Sequence, residues 1–334
     1  MLARKSLWIF FFVNLAIVIF LVHSVWTLLS LLVVDGSSDA ISRAELPGPN
    51  SGLPKGKQTL IPRIIHQTYV NSSIPSHWRE AQQSCLDLHE DYEYKLWTDK
   101  SSREFISSEY PWFLETFDNY QFPIQRADAI RYFVLAHYGG IYIDLDDGCN
   151  RRLDPLLTYT AWVRRTIPTG ISNDVMGSVP HHPFFLKVID SLPRYDRSWV
   201  LPYITVMGST GPLFLSIIWR HYNSGGKLAD KDRLRVLFPD EYSKHSWSFF
   251  THHMGSSWHQ KDVRVIMWMG QHWVFLTVLG FSVAVLVFLC LWWAYGRLLL
   301  SGSPKGQSLR RRLPFFRRLS NSSKAEYELL SRQA

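Results

Sequence analysis

The chain has little cysteine, three residues in 334. Cys290 falls inside a long apolar run, which leaves Cys85 and Cys149 as one candidate pair and excludes a disulfide framework. Two cysteines so far apart in sequence do not show by themselves that they meet. Also missing is an A-x-A-like cleavage site after the first apolar run, residues 7–34 ("LWIFFFVNLAIVIFLVHSVWTLLSLLVV"). That run far exceeds the roughly 7–15 residues of a signal-peptide core, so a retained anchor is expected rather than a cleaved leader. A second apolar run, residues 271–295, is likewise long enough for a bilayer, which takes about 20 apolar residues.

Between these runs the chain lacks an excess of positive charge. The formal net charge is +8; Arg4 and Lys5 supply two of these charges, and the tail from Arg297 holds nine basic residues against Glu326 and Glu328. Residues 6–296 are left with −1. The basic balance therefore reports membrane flanks, and no nucleic-acid partner is expected. Positive flanks at both ends place the termini in the cytosol and the middle of the chain in a lumen. Asn71, in "NSS", is a glycosylation acceptor on the lumenal side, whereas the "NSS" at Asn321 should go unused. The expected organisation is a cytosolic segment 1–6, an anchor 7–34, a Gly/Pro/Ser-rich stem 35–59, a folded lumenal domain 60–262, a second span 271–295 and a basic cytosolic tail 296–334.

Within the folded domain, "LIPRIIHQTYV" and "YEYKLWTD" read as buried strands, with an amphipathic helix over about residues 76–88 between them. Strand, helix, strand at this spacing predicts a βαβ unit in a parallel sheet, hence an α/β class. "FPIQRADAIRYFVLAHYGG" predicts a second helix, with Ala127, Ile130, Val134 and Tyr138 on one face and Gly139–Gly140 as its stop. "IYIDLDD" follows as a strand that carries Asp144, Asp146 and Asp147 at its end, where open α/β sheets bind ligands.

Asp144 and Asp146, two apart on an extended segment, would project to one side and repel unless a cation lay between them. Oxygen ligands suit Mg²⁺ or Mn²⁺, which complete their shells with water and substrate phosphates. An acidic surface turn competes with this reading. An EF-hand loop fails on Gly148 at the fifth position and on the missing closing Glu, and a phosphatase D-x-D-x-T/V fails on the same Gly148. Asp128 and Arg131, at i and i+3 on the preceding helix, either form an ordinary ion pair or clamp sugar hydroxyls between acceptor and donor. The neighbouring acids favour the clamp.

"RADAIRYFVLAHYGGIYIDLDD" resembles the central block of the family 32 glycosyltransferases, the DXD sugar transferases, and "IPRIIHQTY" and "LWTD" resemble its upstream blocks. The resemblance implies a GT-A-type, Rossmann-like catalytic domain over residues 60–262, a nucleotide-sugar donor, a divalent ion (Mn²⁺ or Mg²⁺), and retention of anomeric configuration. It implies Asp144 and Asp146 as the DXD acids, with Asp146 the direct metal ligand, and Asp128 and Arg131 as holders of the donor sugar. His252 or His253 would complete the metal shell, the choice between them open, and Ser256 with Trp258 would hold the diphosphate. Asn173 and Asp174 would meet the acceptor, and "MGSTGP" is either an acceptor-side loop or a Gly-Pro turn before a helix. The upstream blocks are most similar to the fungal members, which implies GDP-mannose as donor and a Golgi membrane. Inositol phosphorylceramide mannosyltransferases, the α-1,6-mannosyltransferases of N-glycan outer chains, and a non-catalytic subunit are the readings compared. Trp258 lies only about a dozen residues before the second span, in a tryptophan-rich stretch suited to the membrane interface. The expected acceptor is therefore a membrane lipid, inositol phosphorylceramide, and a regulatory membrane subunit is an additional partner that the resemblance allows.

Overall fold

The computed structural model describes residues 2–31, 36–48, 56–166, 169–226, 228–238, 245, 247–252 and 261–301. The chain divides into two compact units, Met1–Asp262 and Val263–Ala334. The first begins with helix α1 (Leu2–Leu31) and continues through β1 (Ile64–Thr68), α2 (Ser76–Leu88), β2 (Glu93–Trp97), α3 (Asp99–Glu109), α4 (Leu114–Asn119) and α5 (Pro123–Tyr138). Then follow β3 (Gly140–Ile143), β4 (Asp147–Cys149), β5 (Ala161–Arg165), β6 (Ile171–Ser178), α6 (Pro183–Tyr195), α7 (Pro202–Ser209), α8 (Pro212–Asn223), β7 (Arg235–Leu237) and β8 (Phe250–His252). The second unit holds most of α9 (Lys261–Gln271) and all of α10 (Trp273–Ser301).

The βαβ unit forms as its hydrophobic pattern predicts: β1 pairs in parallel with β2 on one side and with β3 on the other. The sheet as a whole is mixed rather than parallel, which corrects the expectation. Its order is β2-β1-β3-β6-β5-β7, with β6 antiparallel to both β3 and β5. The chain returns past β3 through the β5–β6 hairpin instead of another helical crossover. Alternation along β3 splits the core, because successive side chains of a strand point to opposite faces. Tyr142 joins Val163, Met176 and the inner faces of α5, α6 and α8, while Ile141 and Ile143 join Ile65, Trp162, Val175 and Phe250.

Helix α5 is more deeply buried than one apolar stripe would require: ten of its residues, Gln125, Asp128 and Arg131 among them, lie in the interior. It stops where two glycines take positive φ, 67° at Gly139 and 92° at Gly140. A Cβ at Gly139 would lie 2.7 Å from the Ser178 carbonyl oxygen, and one at Gly140 2.7 Å from that of Ile64, so only glycine fits either position. Buried His66 secures this corner. Its Nδ1 accepts from Trp97 Nε1 (3.1 Å), so Nε2 carries the proton toward the Gly139 oxygen (2.9 Å). Burial lowers its pKa to about 4, which keeps the ring neutral.

Two further expectations change. The strand read in "IYIDLDD" ends at Ile143, and Asp144–Asp146 form a turn in which Asp147 N donates to Asp144 O (3.1 Å). The acids therefore do not alternate along an extended segment. Most of the stem that is described, residues 36–48, is not a loose linker but a strap along the sheet edge. Ala40 bridges Val236 in β7, Arg233 Nη2 reaches Asp39 Oδ1 (2.8 Å), and Arg235 Nη2 reaches Glu45 Oε1 (2.9 Å). Arg43 stacks on Trp247, 3.9 Å from the ring centre, and Arg151 Nη2 donates to Pro47 O (2.9 Å).

Cys85 of α2 and Cys149 of β4 are joined in a disulfide, which settles the question their spacing left open. Among the described residues one stretch, Trp273–Ala294 in α10, is long and apolar enough to cross a membrane; α1 offers only the shorter apolar run Asn14–His23 by the same measure. Of the two expected spans, the second is matched on length and composition.

Candidate active site

Elements from both halves of the sheet meet in a cleft of about 590 Å³. Its walls come from the end of β1 (Thr68, Tyr69), from α5 (Asp128, Arg131), from the β3–β4 turn (Asp144, Asp146) and from β6 (Asn173, Asp174). Arg131 organises one side. Its side chain is only 4% exposed, yet Nη2 lies 3.0 Å from Asp128 Oδ1, Nη1 lies 3.2 Å from Asp144 Oδ2, and Nη1 donates to Asn173 O at 2.7 Å. A buried guanidinium with this many partners has one available geometry.

Asp128 is nearly as well satisfied. Its Oδ1 also accepts from Asn173 Nδ2 (3.0 Å), and Oδ2 accepts from Thr210 Oγ1 (3.0 Å). Burial raises its pKa to about 6 even against the lowering effect of Arg131. Asn173 donates also to the Tyr132 hydroxyl (3.0 Å), so its amide is a brace for Asp128 although it was expected at the acceptor. Thr210 belongs to the "MGSTGP" segment. That segment is neither a bare turn nor remote from the site: it buttresses Asp128 from behind, with Ser209 accepting from Gln125 Nε2 at 2.8 Å.

The three acids of the turn divide between two tasks. Asp144 was expected beside Asp146 as a metal ligand, but its Oδ1 accepts from the Tyr142 hydroxyl (2.7 Å) and its Oδ2 faces Arg131. Its backbone N donates to Asp174 O (2.9 Å), which ties the turn to β6. The group that does converge is Asp146, Asp147 and His252, each offering one ligand atom, all within 4.8 Å of one another. Asp147 sits opposite His252 in the β4–β8 pair, with Asp147 Oδ1 2.9 Å from His252 Nδ1. Sequence reading did not single out Asp147 as a ligand, because its partner lies on a strand 105 residues away.

A cation fits this cluster. Asp147 is fully buried, and its Oδ2 has no hydrogen-bond partner among the described residues, a costly arrangement for a carboxylate that nothing compensates. Among the described residues, Asp128, Asp144, Asp146, Asp147 and Asp174 face two guanidinium groups here, Arg131 and Arg164. Burial, then Asp144, pushes the Asp146 carboxyl up to about 7; burial, then Asp174, pushes Asp147 well above the usual carboxylate range. Asp174 is the exception: burial would raise it, but its ion pair with Arg164 outweighs that and holds it low. Two carboxylates and an imidazole match a hard or intermediate divalent ion such as Mg²⁺ or Mn²⁺. His253, Ser256 and Trp258 lie outside the described residues.

Residues 75–162 match the family described as "Glycosyltransferase sugar-binding region containing DXD motif". Mannosyl phosphorylinositol ceramide synthase CSH1 of Saccharomyces cerevisiae is 52% identical over 281 residues, 83% of this chain and 75% of that protein. Inositol phosphoceramide mannosyltransferase 2 of Schizosaccharomyces pombe is 54% identical over 226 residues, 67% of this chain and 66% of that protein. Among solved structures the chain is similar to PaToxG Glycosyltransferase at 19% identity and a TM-score of 0.40, over 49% of this chain and 71% of that one, a likeness too loose to carry an argument. With half of its residues shared along most of both sequences, this protein belongs to the DXD glycosyltransferase family of the mannosyl phosphorylinositol ceramide synthases, and it is an enzyme of the mannosyltransferase class.

Proposed function

We propose that this enzyme transfers mannose from GDP-mannose to inositol phosphorylceramide, with retention of configuration, in a GT-A-type domain on the lumenal side of the Golgi membrane. The observation that carries this reading is the Asp146–Asp147–His252 cluster, with its unpartnered buried oxygen, on the wall of a cleft that also presents a fixed guanidinium. The acceptor follows the relatives, whose names specify inositol phosphoceramide. The disulfide supports an oxidising compartment. Helix α10 serves as one membrane anchor and α1, with Phe11, Phe12, Ile17 and Phe20 turned outward, as the other.

A divalent ion held by Asp146, Asp147 and His252 would supply positive charge to the donor's diphosphate as it becomes a leaving group. The chain's own groups do the rest. Arg131, whose charge is fixed by Asp128 and Asp144, adds a second positive centre that needs no reorganisation when charge develops. Asp128 keeps one lone pair on Oδ2 beyond its bond from Thr210, enough to accept from one sugar hydroxyl. Asp144, gripped by Tyr142 and Arg131, offers a second acceptor site on the same wall. Asp174, which also lines the cleft, is the residue left for the acceptor side, since Asn173 is committed to bracing. Retention then follows from attack on the face the phosphate leaves, with that phosphate taking the acceptor hydroxyl's proton. The protein contributes alignment and exclusion of water.

The test is transfer by the purified full chain in micelles from GDP-mannose to inositol phosphorylceramide, lost on chelation and restored by Mn²⁺. Transfer to a mannose-rich N-glycan, with none to the lipid, overturns the reading.

A further inference from the structure

Segment 198–204, from the α6–α7 loop into the first turn of α7, exposes apolar side chains that nothing among the described residues covers. Trp199 is 57% exposed and Val200 98%, and Ile204 is exposed as well. The loop is nevertheless held in one shape. Thr205, only 1% exposed, accepts from Trp199 N (2.8 Å) and directs its hydroxyl at the carbonyl oxygens of Trp199 (3.2 Å) and Leu201 (3.3 Å). A buried hydroxyl spent on fixing an exposed apolar tip marks a presented surface rather than slack chain.

The loop stands at the rim of the cleft. Val206, one residue beyond Thr205, lines the cleft, and Ser198 Oγ donates to Gln121 Oε1 (3.3 Å), two residues before cleft-lining Pro123. The end of α1 packs against α8 and the β5–β6 hairpin. Leu31 is buried in the core, its carbonyl accepts from Thr169 in the β5–β6 hairpin, and Ser30 bonds Arg220 Nε (3.2 Å). Two residues beyond Thr169 the chain enters β6, which carries cleft-lining Asn173. The outward-facing apolar helix is thus held to the domain four residues along the chain from a residue of the cleft wall.

We propose that loop 198–204 inserts into the bilayer surface and forms the lip over which the acceptor's hydrocarbon chains rest while its headgroup enters the cleft. This rests on the lipid-acceptor reading above. An aromatic ring beside an aliphatic tip, with Arg194 and Arg197 just upstream, has the composition that settles at a membrane–water interface. Insertion there fixes the height of the cleft above the lipid headgroups, which neither anchor does alone.

Two measurements on the full chain test it. In a Cys290→Ser background, Val200→Cys carrying an environment-sensitive fluorophore is reconstituted into phosphatidylcholine vesicles with and without brominated lipid. A blue-shifted signal quenched by bromine is expected; an unshifted, unquenched signal overturns the proposal. This readout needs no substrate, so it stands even where the wild-type chain fails to mannosylate the lipid. Second, Trp199→Ser with Val200→Asp should lower transfer to long-chain inositol phosphorylceramide in vesicles by roughly tenfold or more. Transfer to a water-soluble inositol phosphate headgroup should be unchanged. Loss of both activities would make the loop part of the fold or the chemistry, and loss of neither would leave it no role in acceptor delivery; either result overturns the proposal.

Discussion

His252 and Asp147 stand opposite each other in the antiparallel β4–β8 pair, Nδ1 2.9 Å from Oδ1. The pair is asymmetric: the aspartate is fully buried and the histidine half-exposed at the cleft. A buried carboxylate reached through an open imidazole is suited to a cation that enters from the cleft. Asp147→Asn preserves shape but removes the charge. It should lower transfer by at least roughly a hundredfold and abolish the Mn²⁺-dependent rise in melting temperature. His252→Ala should weaken Mn²⁺ by at least about tenfold while leaving some activity at saturating metal. Titration calorimetry on both variants checks this, and unchanged Mn²⁺ affinity in Asp147→Asn would remove that residue from the metal set.

The acids also set a pH dependence. In the folded chain Asp146 titrates at about 7, against 3.8 for an ordinary aspartate. Between those values the metal-free folded state keeps a proton that the unfolded chain has released, so stability is greatest at the acid end of the window and is lost as pH rises through about 7. Asp128, raised to about 6, acts in the same direction. A divalent ion favours the ionised form, so its stabilising effect should grow as pH rises. Thermal unfolding with chelator and with Mn²⁺ at several pH values should give two curves that diverge upward; parallel curves would contradict the cluster's assignment.

Arg131 neutralises two carboxylates in the interior. Arg131→Ala should destabilise the domain by about 3–5 kcal/mol, because Asp128 and Asp144 would lose their shared counter-charge. Arg131→Lys keeps the charge but not the fork that spans Asp128, Asp144 and Asn173 O, so it should still lose most transfer. Denaturation and activity measured together separate the two effects. Full activity in Arg131→Lys would reduce this residue to a point charge.

Asn71 lies exposed in the loop after β1, its Oδ1 accepting from Ser73 N (2.8 Å). It should carry a glycan in cells, and Asn71→Gln should remove the single endoglycosidase-sensitive shift. A wild-type chain with no shift would argue against lumenal placement; a shift that persists in Asn71→Gln would move the glycan to another acceptor.

What was legible in the sequence is what depends on neighbours along the chain. The 3.6-residue pattern of α5, its Gly139–Gly140 stop and the strand that follows are local, and so is the βαβ order. The site was legible as a place, because three acids after an apolar run mark a strand end. It was not legible as a geometry. Asp147 meets His252 across 105 residues, Asp128 meets Thr210 across 82, and Cys85 meets Cys149 across 64. No periodicity encodes such pairs. The strap misled for the same reason: Gly, Pro and Ser at 36–48 resemble a linker, and the ion pairs of Arg233 and Arg235 that order it come from the far end of the domain.

The strap bears on how this enzyme's kinetics should be expressed. Only residues 32–35 separate Leu31, packed in the core, from Gly36, which sits against Trp219. A domain joined to its proposed anchor through so few residues cannot sweep a volume; it samples a patch of surface. Its acceptor concentration is then a mole fraction of lipid in the plane, and diluting the acceptor with inert phospholipid should slow turnover at constant bulk acceptor. Adding buffer at constant membrane composition should leave the rate per enzyme unchanged.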